Sequence, residues 1–306
     1  MTKIFIDGAE GTTGLVIRDR LASYQGIEII KLPEQLRKDV KARTEAMNSA
    51  DLVFLCLPDV AAKEAVTFIT NPNTVVIDTS TAHRVNDDWT YGFCELDGQY
   101  EKIKNSKRIA NPGCHASGFI ALIAPLVQKG ILSPDTPLSA FSITGYTGGG
   151  KKMIAEYEGD CPDLYTAPRQ YGLSQAHKHI PEIVKMCGLK VKPCFCPIVA
   201  NFPRGMEVTV PLTSKDVKCG IEGVKEIYKA YYKGKIVYFN NNADENGFLS
   251  AKKLANKDGL EISVHGNDDN MILVARFDNL GKGASGAAIQ NMNVVLGLDE
   301  DIGLTL

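Results

Sequence analysis

No run of one charge sign marks this 306-residue chain; 34 basic and 36 acidic residues are interspersed, for a net charge of −2. That balance argues against a nucleic-acid footprint and against an anionic membrane partner. No uninterrupted apolar run approaches the roughly 20 residues that span a bilayer. The chain opens MTKIFIDG, a strand pattern with no charged segment leading into an apolar core, so no secretory leader is expected. Internal repeats, low-complexity tracts and Pro/Ser-rich linkers are missing too. The single tryptophan, Trp89, reads as structural, as do Cys94 and His115. Eight cysteines are scattered along the chain, and only Cys194-Phe195-Cys196 forms a close pair. Its spacing is not the two-residue gap of a zinc knuckle, and no second ligand pair lies at a matching distance, so no metal site is expected. Scattered cysteines without a leader point to reduced thiols in a cytoplasmic setting.

What is present suits two domains, each able to bury a core, with 44% apolar residues. Lys3–Ile6, Ile27–Ile30, Asp51–Leu57 and Thr74–Asp78 read as buried strands. Helical patterns alternate with them, which predicts a Rossmann-type doubly wound parallel sheet. Beyond about Pro134 the strands lengthen and alternate (139–144, 205–212, 235–239, 260–265 and 270–278), with helices near 181–187 and 221–232. That texture predicts an α+β domain with a mixed or antiparallel sheet. The expected division is 1–113 plus 283–306 for the nucleotide domain and 114–282 for the catalytic and oligomerisation domain.

Gly8-Ala9-Glu10-Gly11-Thr12-Thr13-Gly14 lies between the first strand and the first helix. Glycines there permit a sharp turn and close approach to a pyrophosphate, which the helix N–H groups then hold. Gly8, Gly11, Thr12, Thr13 and Gly14 are therefore expected to contact a dinucleotide. No acid ends the second strand to take a ribose 2′-OH; Arg37 and Lys38 follow instead, which suits the 2′-phosphate of NADP(H). A solvated basic helix face would carry the same residues.

Asn111-Pro112-Gly113-Cys114-His115-Ala116-Ser117-Gly118 turns tightly and then enters an apolar helical pattern. Cys114 thus stands at a helix N-terminus, where unpaired N–H groups and the helix dipole favour a thiolate. Pro125 falls inside that helix and is expected to kink or end it.

Together with TGYTGGGKK at 144–152, HKHIPEI at 177–183 and NLGKGASGAAIQNMNVVLGL at 279–298, these motifs resemble the N-acetyl-γ-glutamyl-phosphate reductase family in its shorter form. The resemblance runs in family order over essentially the whole chain. It implies a glyceraldehyde-3-phosphate-dehydrogenase-like architecture and NADP-dependent reduction of N-acetylglutamyl 5-phosphate to the semialdehyde, within arginine biosynthesis. It also implies a homo-oligomer, a dimer or tetramer, acting on small molecules. The chemistry needs a thiolate to displace phosphate and form a thioester, a hydride donor, and a proton donor. Cys114 supplies the first. The family's histidine falls in His177-Lys178-His179, and His179, next to the rigid Ile-Pro step, is preferred over His177 as acid/base.

Ser80, Ser285, Gly286 and Asn291 are further expected cofactor contacts. Arg84, Asn111, Tyr146, Gly148 and Gly149 are expected on the substrate side, the last three in a flexible glycine-rich loop suited to a phosphate nest. Two other readings remain open: an aspartate-semialdehyde-dehydrogenase type of acyl-phosphate reductase, and a non-catalytic dinucleotide-binding redox sensor.

Overall fold

Short runs of β-branched and aromatic residues build the first sheet of the computed structural model, which describes all 306 residues. Its strands are β1 (Thr2–Asp7), β2 (Ile27–Ile30), β3 (Leu52–Leu55), β4 (Val75–Asp78), β5 (Thr90–Tyr91) and β6 (Arg108–Ala110). They lie in the order β2-β1-β3-β4-β6-β5, every pair parallel. Every residue of β3 and β4 is buried, as a sheet covered on both faces requires. Alternation sorts the side chains. Ile4, Ile6, Phe54 and Ile77 pack with α1 (Thr12–Leu21) and the C-terminal helix (Gly286–Leu296). Phe5, Val53, Leu55 and Val76 pack instead with α2 (Val40–Ser49) and α3 (Asp59–Thr67). A short α4 (Gln99–Lys104) lies on the C-terminal helix. This is a doubly wound, Rossmann-like unit, Met1–Pro112 with Ala284–Leu304.

The second unit comprises Gly113–Gly283 with Thr305–Leu306. The last two residues, expected with the nucleotide domain, go here because Asp258 binds them twice. Its N–H donates to the Thr305 carbonyl at 2.7 Å, and its carboxylate accepts from the Thr305 N–H at 2.8 Å. Seven strands form a mixed sheet: β7 (Ser139–Gly145), β8 (Arg169–Gln170), β9 (Cys194–Ala200), β10 (Met206–Thr213), β11 (Val237–Phe239), β12 (Leu260–Gly266) and β13 (Asn270–Phe277). The order is β11-β12-β13-β10-β7-β9-β8, with β11/β12 and β7/β9 parallel and the rest antiparallel. Helices α5 (Cys114–Gln128), α7 (Ile180–Cys187) and α8 (Gly220–Tyr231) gather on this sheet; α6 (Gly150–Glu158) lies outside that group.

Two local expectations are corrected. Pro125 neither ends nor breaks α5, which continues to Gln128. A proline there cannot bond the Ala121 carbonyl, but the Tyr232 hydroxyl does so at 2.8 Å. The neighbouring Leu122 carbonyl accepts from Tyr228 at 2.5 Å. The segment 145–152 is not a flexible loop either: Tyr146–Gly149 makes a tight 3-10 turn and α6 starts at Gly150. No helix is long and apolar enough to cross a membrane.

Candidate active site

The first unit offers a nucleotide half-site. β1 ends at Asp7, and Gly8 turns the chain at φ +84°. A Cβ on Gly8 would sit 2.3 Å from the Cys56 carbonyl oxygen, and one on Gly14 2.4 Å from that of Gly8. Both positions therefore exclude any larger residue. Gly11 caps α1 without a side-chain acceptor, and Thr12 and Thr13 open the helix, so first-turn N–H groups remain for a ligand. A cavity of about 760 Å³ lies beside this loop, lined by Gly8, Ala9 and Glu10, by Ile29–Leu32 at the end of β2, and by Arg18, Arg37 and Lys38. Arg43 also lines it, but its charge is spent on buried Asp7 at 2.8 Å. Loop, hydrophobic wall and basic rim fit an adenine dinucleotide.

Several expected contacts prove to be braces. Ser80 is buried; its hydroxyl donates to Asp78 at 2.7 Å and accepts from the Ala82 N–H at 3.1 Å. His83 binds the same Asp78 oxygen at 2.7 Å and stacks on Trp89. Arg84, expected on the substrate, is 8% exposed and donates to the carbonyls of Asn111 and Thr79, tying together the chain beyond β4 and β6. Asn111 and Asn291 are wholly buried against each other, with Nδ2 of Asn291 donating to Oδ1 of Asn111 at 3.1 Å. Asn111 also donates to the Ala284 carbonyl, and Asn291 to that of Gly92. Both amides hold the C-terminal helix to the sheet. Ser285 and Gly286 are buried where that helix begins.

In the second unit, Cys114 is the first residue of α5, half-buried, with Gly113 as a cap that provides no side-chain acceptor. A Cβ on Gly283 would come within 3.0 Å of the Cys114 Cβ, so only glycine allows that approach. The Gly113 N–H donates to Glu182 Oε2 at 3.2 Å, while Glu182 Oε1 lies 3.9 Å from His179 Nε2. One buried carboxylate thus spans the turn that presents the thiol and the imidazole of His179, the residue at the N-cap position of α7. His177 lies beside it, ring centroids 4.8 Å apart, and its Nδ1 accepts the His179 backbone N–H at 3.2 Å. Burial, with the Lys178 charge adding to it, pushes His177 down to about 4. At neutral pH that ring is uncharged.

His115 does more than pack. Burial first, and then His177, lowers it to about 3, so it too is neutral. Its Nδ1 meets the Ser142 hydroxyl at 2.6 Å and its Nε2 meets the Tyr171 hydroxyl at 2.6 Å. Ser142 is fully buried. Ser142 and Tyr171 thus hold the His115 ring by both of its nitrogens. Burial raises the Tyr171 hydroxyl's pKa, and the charge of Cys114 raises it further. Glu182, Tyr171 and Ser142 are the residues that sequence did not single out for chemistry. Glu182 had one signal, its place three after His179; Tyr171 and Ser142 had none.

Tyr146, expected toward substrate, is buried instead, stacked on Tyr157 and donating to Glu158 at 3.1 Å. Gly148 and Gly149 are exposed in the turn ahead of α6. No group of three or more His, Cys, Asp or Glu is arranged to hold a metal.

A dinucleotide loop on a parallel sheet and, in the second unit, a mixed sheet that carries a helix-terminal thiol define a class, the aldehyde oxidoreductases. Residues 3–106 match the family model "Semialdehyde dehydrogenase, NAD binding domain", and residues 114–279 match "Semialdehyde dehydrogenase, dimerisation domain". N-acetyl-gamma-glutamyl-phosphate reductase from Brucella ovis is 46% identical, the match covering 96% of this chain and 99% of that protein. The reductase of the same name from Sinorhizobium medicae is 47% identical, over 96% of this chain and 98% of its own. Among solved structures, aspartate semialdehyde dehydrogenase II from Vibrio cholerae, complexed with ASA, gives a TM-score of 0.73 at 14% identity, covering 97% of this chain and 98% of that one. Aspartate semialdehyde dehydrogenase with NADP from Candida albicans gives 0.72 at 14% identity, covering 99% and 100%. Those two share the fold. The chain belongs to the N-acetyl-gamma-glutamyl-phosphate reductase family.

Proposed function

We propose that this chain reduces N-acetyl-L-glutamyl 5-phosphate to N-acetyl-L-glutamate 5-semialdehyde with release of phosphate, as a cytoplasmic step of arginine biosynthesis. The Glu182 carboxylate, joined to the Gly113 N–H on one side and facing His179 on the other, carries the reading. It supports His179 as acid/base over His177, which is held neutral well below its ordinary range. The Cys114 thiolate attacks the acyl carbon, the carbon–oxygen bond to phosphate breaks, and a thioester forms. The glycine loop and the Arg37 side of the cavity would hold NADPH, which when bound would supply the hydride. His179 protonates the oxygen of the resulting thiohemiacetal and takes that proton back as the carbon–sulfur bond breaks, which releases the aldehyde and restores the thiolate. Tyr171, hydrogen-bonded to His115, is a second candidate to donate to the same oxygen. Gly148 and Gly149 remain the phosphate-side candidates.

Intact mass spectrometry after adding the acyl phosphate without NADPH tests the scheme. An N-acetylglutamyl adduct on Cys114, absent in Cys114→Ser, is expected; an adduct on another cysteine, or none, overturns it. In the reverse direction, with phosphate and NADP, turnover of aspartate semialdehyde alone would reassign the substrate.

The sheet of the second unit also supports a homo-oligomer. Phe141 is 48% exposed and Ile272 38% exposed on the face opposite the buried side chains of β7 and β13, with Pro211 exposed opposite Ile272. Apolar side chains left bare on a sheet face suit a second copy of this chain.

A further inference from the structure

The tip of the glycine loop carries an acid where a phosphate-binding loop has little use for one. Glu10 Oε1 lies 3.4 Å from Arg18 Nη1 and 3.3 Å from Arg37 Nη1, so a single carboxylate oxygen is shared by two guanidinium groups. All three residues line the cavity beside the loop, together with Lys31, Glu34 and Lys38. Arg18 is further held by Asp19 at 3.2 Å, and Arg43 is committed to Asp7. Arg37 is thus the guanidinium on the β2 side that can most readily be given to an incoming anion, and Glu10 is what now holds it.

We propose that Glu10 is a built-in counter-ion that limits the preference of the nucleotide unit for a 2′-phosphorylated dinucleotide. Its carboxylate occupies an anion position between Arg18 and Arg37, and the 2′-phosphate must turn it aside to reach them. The side chains are 37%, 50% and 46% exposed for Arg18, Glu10 and Arg37, so these pairs are solvent-screened and weak. A phosphate has more acceptor oxygens and more charge, and binds guanidinium in bidentate fashion, so it displaces the carboxylate. The displacement still costs affinity for the 2′-phosphate, and only for it, because a ligand with a free 2′-OH leaves the Glu10 pairs in place. Glu10 therefore narrows the discrimination between NADP and NAD while keeping Arg37 ordered in the empty protein. The inference rests on the NADP(H) reading of this unit.

Calorimetric titration separates the two. Adenosine 2′,5′-bisphosphate and 5′-AMP differ only by the 2′-phosphate, and neither needs the reaction to run. Glu10→Gln is expected to bind the bisphosphate about three- to tenfold tighter, with 5′-AMP unchanged within about twofold. Arg37→Gln should weaken the bisphosphate selectively, and in the double variant the gain from Glu10→Gln should vanish. A wild type that prefers the bisphosphate, with Glu10→Gln leaving that preference unaltered or tightening both ligands alike, overturns the counter-ion role alone. A wild type that binds both ligands equally overturns the NADP(H) reading and the inference with it.

Discussion

Cys114 owes its place to covalent neighbours: Pro112 and Gly113 turn the chain, and the apolar run after it has to be a helix. Its partners are a different matter. His115, His177, His179 and Tyr171 converge from three segments, with the His115 ring centroid 5.5 Å from that of His179 and 5.6 Å from that of His177. Clustering imidazoles in a buried site has a cost that shows against pH. His177 falls from 6.5 to about 4 and His115 to about 3, both chiefly through burial. A histidine with a depressed pKa takes up protons more readily unfolded, so its contribution to stability is whole above pH 6.5 and is lost as pH falls through the folded value. Urea midpoints should therefore drop between pH 6.5 and about 3. His177→Gln should flatten the part between 6.5 and about 4, and an unaltered slope would show that His177 is not buried neutral.

At the scale of the element, α5 shows why local rules mislead. Pro125 reads as a break because it removes a donor to the Ala121 carbonyl; the element persists because Tyr232, just beyond α8, supplies one. Tyr232→Phe leaves that buried carbonyl without this bond and should cost about 1–3 kcal/mol in chemical denaturation. Pro125→Ala gives the helix back its own N–H, so the loss should be largely recovered in the double variant. No recovery would mean that the hydroxyl matters for some other reason. The same lesson applies at 145–152, where three successive glycines read as a loop. Tyr146 stacks on Tyr157 and reaches Glu158, which holds the turn against α6 and gives it helical order that glycine alone does not supply.

For the molecule as a whole, alternation in the two halves makes the fold class legible: continuous buried runs for the parallel sheet, polar–apolar alternation for the mixed one. Short or weakly patterned elements escaped, among them β5, β6, β8 and α2, which depend on neighbours rather than on their own periodicity. Exposed Phe141 and Ile272 argue for self-association at this scale. Sedimentation equilibrium should show a dimer or tetramer, and Phe141→Asp should lower the order of assembly while leaving the far-ultraviolet circular dichroism intact. A wild-type monomer would remove the proposal.

The amino-acid sequence alone determined the place of the helix-terminal thiol, the dinucleotide loop and the two kinds of sheet, because each rests on spacing within a few residues: a turn before a helix, glycines before a helix, apolar periods of two or of continuous burial. The tertiary structure decided which polar side chains remain for ligands. Ser80, Arg84, Asn111, Asn291 and Tyr146 have the right chemistry for contacts and also find partners inside the protein, while Glu182, without a comparable local signal, bonds the turn that presents the thiol. The reason is physical. A buried hydrogen-bonding group must find a partner, and that partner lies close in space but often far along the chain, as Asn111 and Asn291 do. Spacing along the chain therefore fixes where Cys114 is presented, and only packing fixes what meets it.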